Sequence, residues 1–228
     1  ILKIKVIVFD LDDTLYDEIE YVKSCFKEVS NYFSYKFKID KNLIYNYMIQ
    51  DLETNGRGKI FDNMLENFKI YSKENIKKAI LVYRTHKPNI VLPQESIEVL
   101  SYYNSLKIPI YIVTDGNKIV QNRKIEALGV RKYIKKDFIT HRYGLKHSKP
   151  STYCFEKIAK LEKVEYKDIV YIGDNPNKDF VNIKKLGFRT IRVLKGMFSN
   201  SNKETKFEAE LNILSLVELK NIILNIGY

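Results

Sequence analysis

"VIVFDLDDTL", residues 6–15, is the stretch on which the fold turns. Val6, Ile7, Val8 and Phe9 make a short continuous apolar run, β-branched and aromatic, which suits a strand buried on both faces. The run then gives way to Asp10, Asp12 and Asp13, carboxylates that repel one another and gain nothing from burial. A buried strand that ends in such a cluster predicts a place for something cationic at its carboxyl edge.

Similar apolar runs recur at 4–9, 108–113, 169–172 and 190–194, with a weaker one at 137–140. Helical patterns lie between them at 94–106, 119–128, 152–161 and 179–186, and Gly129 and Gly187 suit helix ends. Strand alternating with helix predicts an α/β doubly wound, Rossmann-like parallel sheet. Residues 16–90 break that rhythm. Ile19, Val22, Phe26, Val29 and Phe33 give one apolar helical face, and further helical pieces follow at 41–53, 60–70 and 73–84. The expected organisation is a core of residues 1–15 and 91–228 with a helical insert at 16–90. A polar surface loop is expected at 199–205 and a last helix at 215–225.

The bulk properties bound the function classes. A chain of 228 residues suffices for one sizeable domain or a core with an insert. No stretch approaches the roughly 20 consecutive apolar residues that span a bilayer, so an integral membrane protein is excluded. The first residues carry no secretory pattern, and Cys25 and Cys154 stand alone without metal-ligand spacing. They read as two buried thiols in a reducing, cytoplasmic setting. The net charge of +11 is mostly lysine, scattered along the chain beside abundant Asn, Ile and Tyr. That pattern favours compositional drift over a nucleic-acid surface, though it would help draw in an anionic substrate. It leaves oligomeric state open.

Three strands deliver polar residues to one edge of the sheet. Asp10 and Asp12 follow the first, Thr114, Asp115 and Gly116 the second, and Asp174 and Asp179 a later one in "VYIGDNPNKD". Lys149, in "HSKPSTYCF", opens the helix before that last strand. One group alone would read as turn residues. Four in order, at the edge where open α/β sheets bind ligands, read as a site.

With these motifs the chain resembles the haloacid dehalogenase superfamily, mostly magnesium-dependent phosphatases. Asp10-Leu11-Asp12-Asp13-Thr14 is similar to its first motif, Thr114 to the second, Lys149-Pro150 to the third, and Gly173-Asp174 with Asp179 to the fourth. The resemblance covers about 150 residues of core, and the insert falls where the family carries a helical cap. It implies Asp10 as nucleophile, forming an aspartyl-phosphate, and Asp12 as the acid and base for leaving group and water. It implies Mg²⁺ held by Asp10, the Asp12 backbone carbonyl and Asp174, with Asp179 orienting Lys149 or a metal-bound water. Thr114, Lys149 and the amides of Asp115 and Gly116 would hold the phosphoryl oxygens. Cap closure would hinge near 15–17 and 88–92.

Asp13 reads as a turn residue, and Asp115 has no fixed role. "TNGRGK" at 54–59 is either an ordinary interhelical turn or a loop whose Arg57 and Lys59 meet a distal anionic group of the substrate. Tyr16 either lines the pocket or packs at a hinge. His86, His141 and His147 lack ligand spacing and read as surface or loop residues.

Asp12 argues against dehalogenation, because family dehalogenases carry an aromatic residue there and need no leaving-group acid. The expected activity is hydrolysis of a small phosphorylated metabolite, a sugar phosphate ahead of a nucleoside monophosphate. A β-phosphoglucomutase-like phosphomutase shares the motifs. A non-catalytic binding protein ranks behind these because every motif residue is present. So does an enzyme acting on nucleic-acid ends, which only the charge suggests.

Overall fold

The computed structural model describes residues 4–225. Six strands form one parallel sheet: β1 (Val6–Phe9), β2 (Ile110–Thr114), β3 (Lys136–Ile139), β4 (Ile169–Gly173), β5 (Arg189–Val193) and β6 (Leu211–Ile213). Their order is β3-β2-β1-β4-β5-β6, so the chain winds one way from β1 and then restarts on its other side at β4. The β1/β4 seam is therefore the topological switch point, where such sheets bind ligands. Every residue of β1, β2 and β4 is buried, which accounts for their unbroken apolar runs.

The helices are α1 (Glu18–Phe37), α2 (Lys41–Asn55), α3 (Ile60–Asn67), α4 (Lys73–Thr85), α5 (Gln94–Ser105), α6 (Lys118–Ala127), α7 (Tyr153–Glu162), α8 (Val181–Lys185) and α9 (Leu219–Asn225). Two compact units divide the chain, Ile1–Glu18 with Val91–Tyr228, and Ile19–Ile90. Residues 1–3 and 226–228, at the ends of the expected core, lie outside the described residues.

In the sheet unit, one layer of the core packs Val6, Val8, Tyr111, Val113 and Tyr171 against Phe155 and Ile158 of α7 and against Phe180 and Phe188. The helical unit has its own core, in which Val22, Phe26, Val29 and Phe33 of α1 meet Ile44 and Met48 of α2, Met64 and Leu65 of α3 and Ala79 of α4. Local signals set the helix starts: Asp40 caps α2, Ser72 caps α4, and Asn117 caps α6, each accepting from a following backbone N–H. No helix among the described residues is long and apolar enough to cross a membrane.

Three local expectations change, and one strand was not expected. The strand β6 gave no apolar run because it is a three-residue edge strand with two residues exposed. The helix expected at 179–186 is shorter, since Asp179 belongs to the preceding turn, where its N–H donates to the Asn175 carbonyl. Ile19 stands partly exposed at the start of the α1 apolar face. His86 is not a surface residue: it is buried, its ring centroid 4.9 Å from that of Tyr21.

Candidate active site

Register brings the motif residues together. Phe9 pairs with Ile112 on one side and Ile172 on the other, so Asp10, Thr114 and Asp174 leave the sheet at the same edge. The Asp10 N–H still donates to the Ile172 carbonyl at 2.8 Å, which extends the ladder one residue into the acidic cluster. Asp10, Asp12, Thr114, Asp115 and Asp174 line one cavity of about 150 Å³, along with Asp13, Glu18, Asn175, Lys178 and Phe198.

Lys149 is buried beside this cavity, and its ammonium has three oxygen partners. They are Asp10 Oδ2 at 2.9 Å, Asp179 Oδ1 at 2.7 Å and the Tyr171 hydroxyl at 2.9 Å. Burial works against this charge, but the carboxylates of Asp10 and Asp179 hold its pKa well above the usual lysine range. Asp179 also accepts from the Asn175 N–H at 2.9 Å. A Cβ on Gly173 would lie 2.5 Å from Asp179 Oδ2, so only glycine leaves room for that carboxylate under β4. Asp179 is thus engaged on both oxygens, in keeping with a residue that orients Lys149.

Asp10, Asp174 and Asp179 each offer an oxygen within 4.8 Å of the others, and all three are buried. Burial pushes the Asp10 carboxyl up to about 6 despite the opposing pull of Lys149. Asp174 rises further, to about 9, through burial and then the charges of Asp10 and Asp179. Crowded, buried, hard oxygen donors short of positive charge are what a divalent cation such as Mg²⁺ satisfies.

Asp12 has a different environment. Burial would raise its pKa, but Lys124 on α6, Tyr16 and Gln121 together hold it below the usual carboxylate value. Lys124 Nζ lies 2.8 Å from Asp12 Oδ1 and 3.0 Å from Glu18 Oε1, and its side chain is 1% exposed. Tyr16 is buried behind Asp12 and donates its hydroxyl to Oδ1 at 2.7 Å. Asp13, at φ 52°, accepts from the Glu18 N–H at 2.8 Å, the position of a turn residue that starts α1.

The Asp115 carboxylate accepts from Thr140 Oγ1 at 2.6 Å and from the Lys149 N–H at 3.1 Å, and Lys178 Nζ lies 3.4 Å away. It therefore ties the Lys149 segment to β2. Burial is outweighed by Lys149 and Lys178, and its pKa is lowered. Gly116 follows at φ 129°. In the helical unit, Arg57 lines a separate cavity of about 200 Å³ with Phe26, Phe61 and Tyr83, and Lys59 is exposed at the start of α3.

Sequence reading missed Gln121, Lys124, Lys178, Tyr171 and Arg192. Gln121 and Lys124 sit three apart on the same face as the buried Val120, Ile125 and Leu128, so two polar residues inside an apolar helical stripe were the available signal. Arg192, on β5, is 2% exposed and donates to the Asp174 carbonyl at 3.2 Å and to Glu208 at 2.8 Å.

Comparison with known proteins gives a family and a fold. The model of the family described as haloacid dehalogenase-like hydrolase matches residues 7–193. A glyceraldehyde 3-phosphate phosphatase of Methanocaldococcus jannaschii is 30% identical over 234 residues, covering 98% of each chain. A phosphoglycolate phosphatase of Neisseria meningitidis is 24% identical, over 85% of this chain and 81% of the relative. Among solved structures, the magnesium-bound HAD-hydrolase YfnB of Bacillus subtilis shares the fold at a TM-score of 0.67 and 16% identity, over 97% of this chain and 99% of that one.

Proposed function

The chain belongs to the haloacid dehalogenase-like hydrolase family as a member of its phosphatase type, and from that premise we propose that it is a Mg²⁺-dependent phosphatase of a small sugar phosphate, working through an aspartyl-phosphate on Asp10. The observation that carries this reading is the arrangement of Asp10, with one carboxylate oxygen on Lys149 and a second acid, Asp12, two residues on at the same cavity. Triose phosphates lead the substrate class, since relatives of nearly the same length are named for glyceraldehyde 3-phosphate.

The residues then divide the work. Asp10 attacks phosphorus, forming one P–O bond as the bond to the leaving oxygen breaks. Asp12, protonated in the reacting complex, gives its proton to that oxygen, then takes one from the water that attacks the aspartyl-phosphate and releases phosphate. Lys149, fixed by Asp179 and Tyr171, offsets the charge on Asp10 and on the transferring phosphoryl group. Thr114 and the amides of Asp115 and Gly116 hold the remaining oxygens. Asp10 and Asp174, with the Asp12 carbonyl, would hold Mg²⁺, which when bound supplies charge neutralisation for the phosphoryl oxygens. The helical unit serves as the cap, closing on hinges near 15–17 and 88–92, and Arg57 and Lys59 are its candidate substrate contacts.

Phosphate release from a panel of phosphorylated metabolites, with Mg²⁺ or with chelator, tests the proposal. The panel includes glyceraldehyde 3-phosphate, phosphoglycolate, hexose phosphates and nucleoside monophosphates. Magnesium-dependent release by the native chain, lost in Asp10→Asn, is the expected result. Equal release by the variant would refute the role of Asp10, and preference for nucleotides would refute the sugar phosphate.

A further inference from the structure

Gln121 is 2% exposed, and its amide nitrogen spends both hydrogens inside the site. One goes to Asp12 Oδ2 at 2.8 Å and the other to Thr114 Oγ1 at 2.7 Å. The amide nitrogen lies within hydrogen-bond distance of both oxygens and donates to each.

Two consequences follow from counting lone pairs and hydrogens. Thr114 Oγ1 receives a bond from Gln121, so its own hydrogen is left to donate elsewhere, and Thr114 lines the cavity. Asp12 Oδ1 accepts from both Lys124 and Tyr16, which fills it. Among the described residues Oδ2 accepts from Gln121 alone, and it keeps one lone pair for a proton in transit. The loop after β2 lies over the amide: a Cβ on Gly116 would come within 3.2 Å of Gln121 Cγ.

We propose that Gln121 is a positioning residue that acts on both ends of the reaction, presenting Oδ2 of Asp12 as the proton-carrying oxygen and turning the Thr114 hydroxyl into a donor toward the phosphoryl group. The proposal rests on the phosphatase reading for its catalytic consequence, while the amide geometry stands by itself. It asks for no new chemistry: the proton leaves Asp12 Oδ2 for the departing oxygen, and a proton from the attacking water returns to the same atom.

The test compares native chain, Gln121→Met and Gln121→Glu on two esters. Glycerol phosphate has a leaving oxygen that needs a proton, whereas 2,4-dinitrophenyl phosphate leaves without one. Met keeps the length and loses the donor, and Glu keeps the shape and replaces the donor with an acceptor. Both variants are expected to lose on the order of 100-fold in kcat/KM, which reports formation of the aspartyl-phosphate, on glycerol phosphate and less than about tenfold on the dinitrophenyl ester. A purely structural role would lower both by the same factor, and that result, or full activity in Gln121→Met, overturns the proposal. A second readout needs no turnover. In ¹⁵N-labelled native protein the Gln121 side-chain amide should give two downfield protons, one moving in Thr114→Val and the other in Asp12→Ala. An amide at the free-chain position, unmoved by either substitution, overturns the arrangement. Loss of the phosphatase reading would appear separately, as no phosphate release from either ester by the native chain.

Discussion

Asp174 makes the metal-free protein less stable as pH rises, and replacing it should remove that dependence. Its carboxyl titrates near 3.8 in the unfolded chain and at about 9 in the folded one. Between those values the native state keeps a proton that the unfolded state has lost, so stability falls as pH rises from about 4 toward 9. At about 1.4 kcal/mol per pH unit, moving from pH 5 to pH 7 should cost about 3 kcal/mol through this group alone. Asp10, whose folded value is about 6, adds about 1 kcal/mol of the same sign over that interval, and it is relieved when the neighbouring charge goes. The perturbation is Asp174→Asn, assayed by thermal melts in chelator at pH 5, 6, 7 and 8. For a chain of this size each kcal/mol shifts Tm by about 2–4 °C. The native Tm should therefore drop roughly 6–12 °C more than the variant Tm between pH 5 and pH 7. Groups that titrate alike in both proteins cancel in the comparison. Adding Mg²⁺ at about 100 times its Kd should restore about 2.7 kcal/mol to the native protein and nothing to the variant. Parallel Tm–pH curves for the two proteins would refute the reasoning, because the strain would then not reside in Asp174.

Lys149→Met leaves Asp10 and Asp179 facing each other without their shared ammonium, and it should cost about 3–5 kcal/mol in urea unfolding at pH 7. Adding Asp179→Asn should recover part of that loss, and strictly additive losses would count against the pairing. Arg192→Leu removes the donor to the Asp174 carbonyl and strands Glu208, and calorimetric titration should find Mg²⁺ affinity down about tenfold. Unchanged affinity with reduced Tm would restrict Arg192 to stability.

The core strands were legible because each is buried on both faces and so carries a continuous apolar run; β1 and β2 were found within two residues of their limits. The apolar stripe of α1 was legible for the complementary reason, one buried face at helical spacing, from Val22 to Phe33. What escaped was structure that leaves no local pattern. In β6 only Ile213 is buried, and its pairing with β5 is a backbone event that side chains barely record. His86, without ligand spacing, reads as a surface or loop residue; it does lie just past α4, yet it is buried, and the ring of Tyr21, 65 positions earlier, packs on its own.

The same division runs through the site. Asp10, Asp12, Thr114 and Asp174 stand out in the sequence because each puts a charge or hydroxyl where an apolar strand run ends, and Lys149 because it precedes Pro150 at the approach to α7. Their supports could not be read, because a compensating group is defined only by what it reaches. Lys124 meets Asp12 across 112 positions of sequence, and Gln121 meets it across 109. On α6 these two residues look like lapses in an amphipathic helix. Beside Asp12 they are donors that, with Tyr16, lower its pKa, while burial in the metal-free site raises those of Asp10 and Asp174. Nearby carboxylates on one sheet edge thus have opposite tendencies, and the difference comes from α6 and Tyr16 rather than from the carboxylates of the motif. A search for polar residues at core-facing helix positions, applied to the helix that follows the Thr114 strand, would have found both.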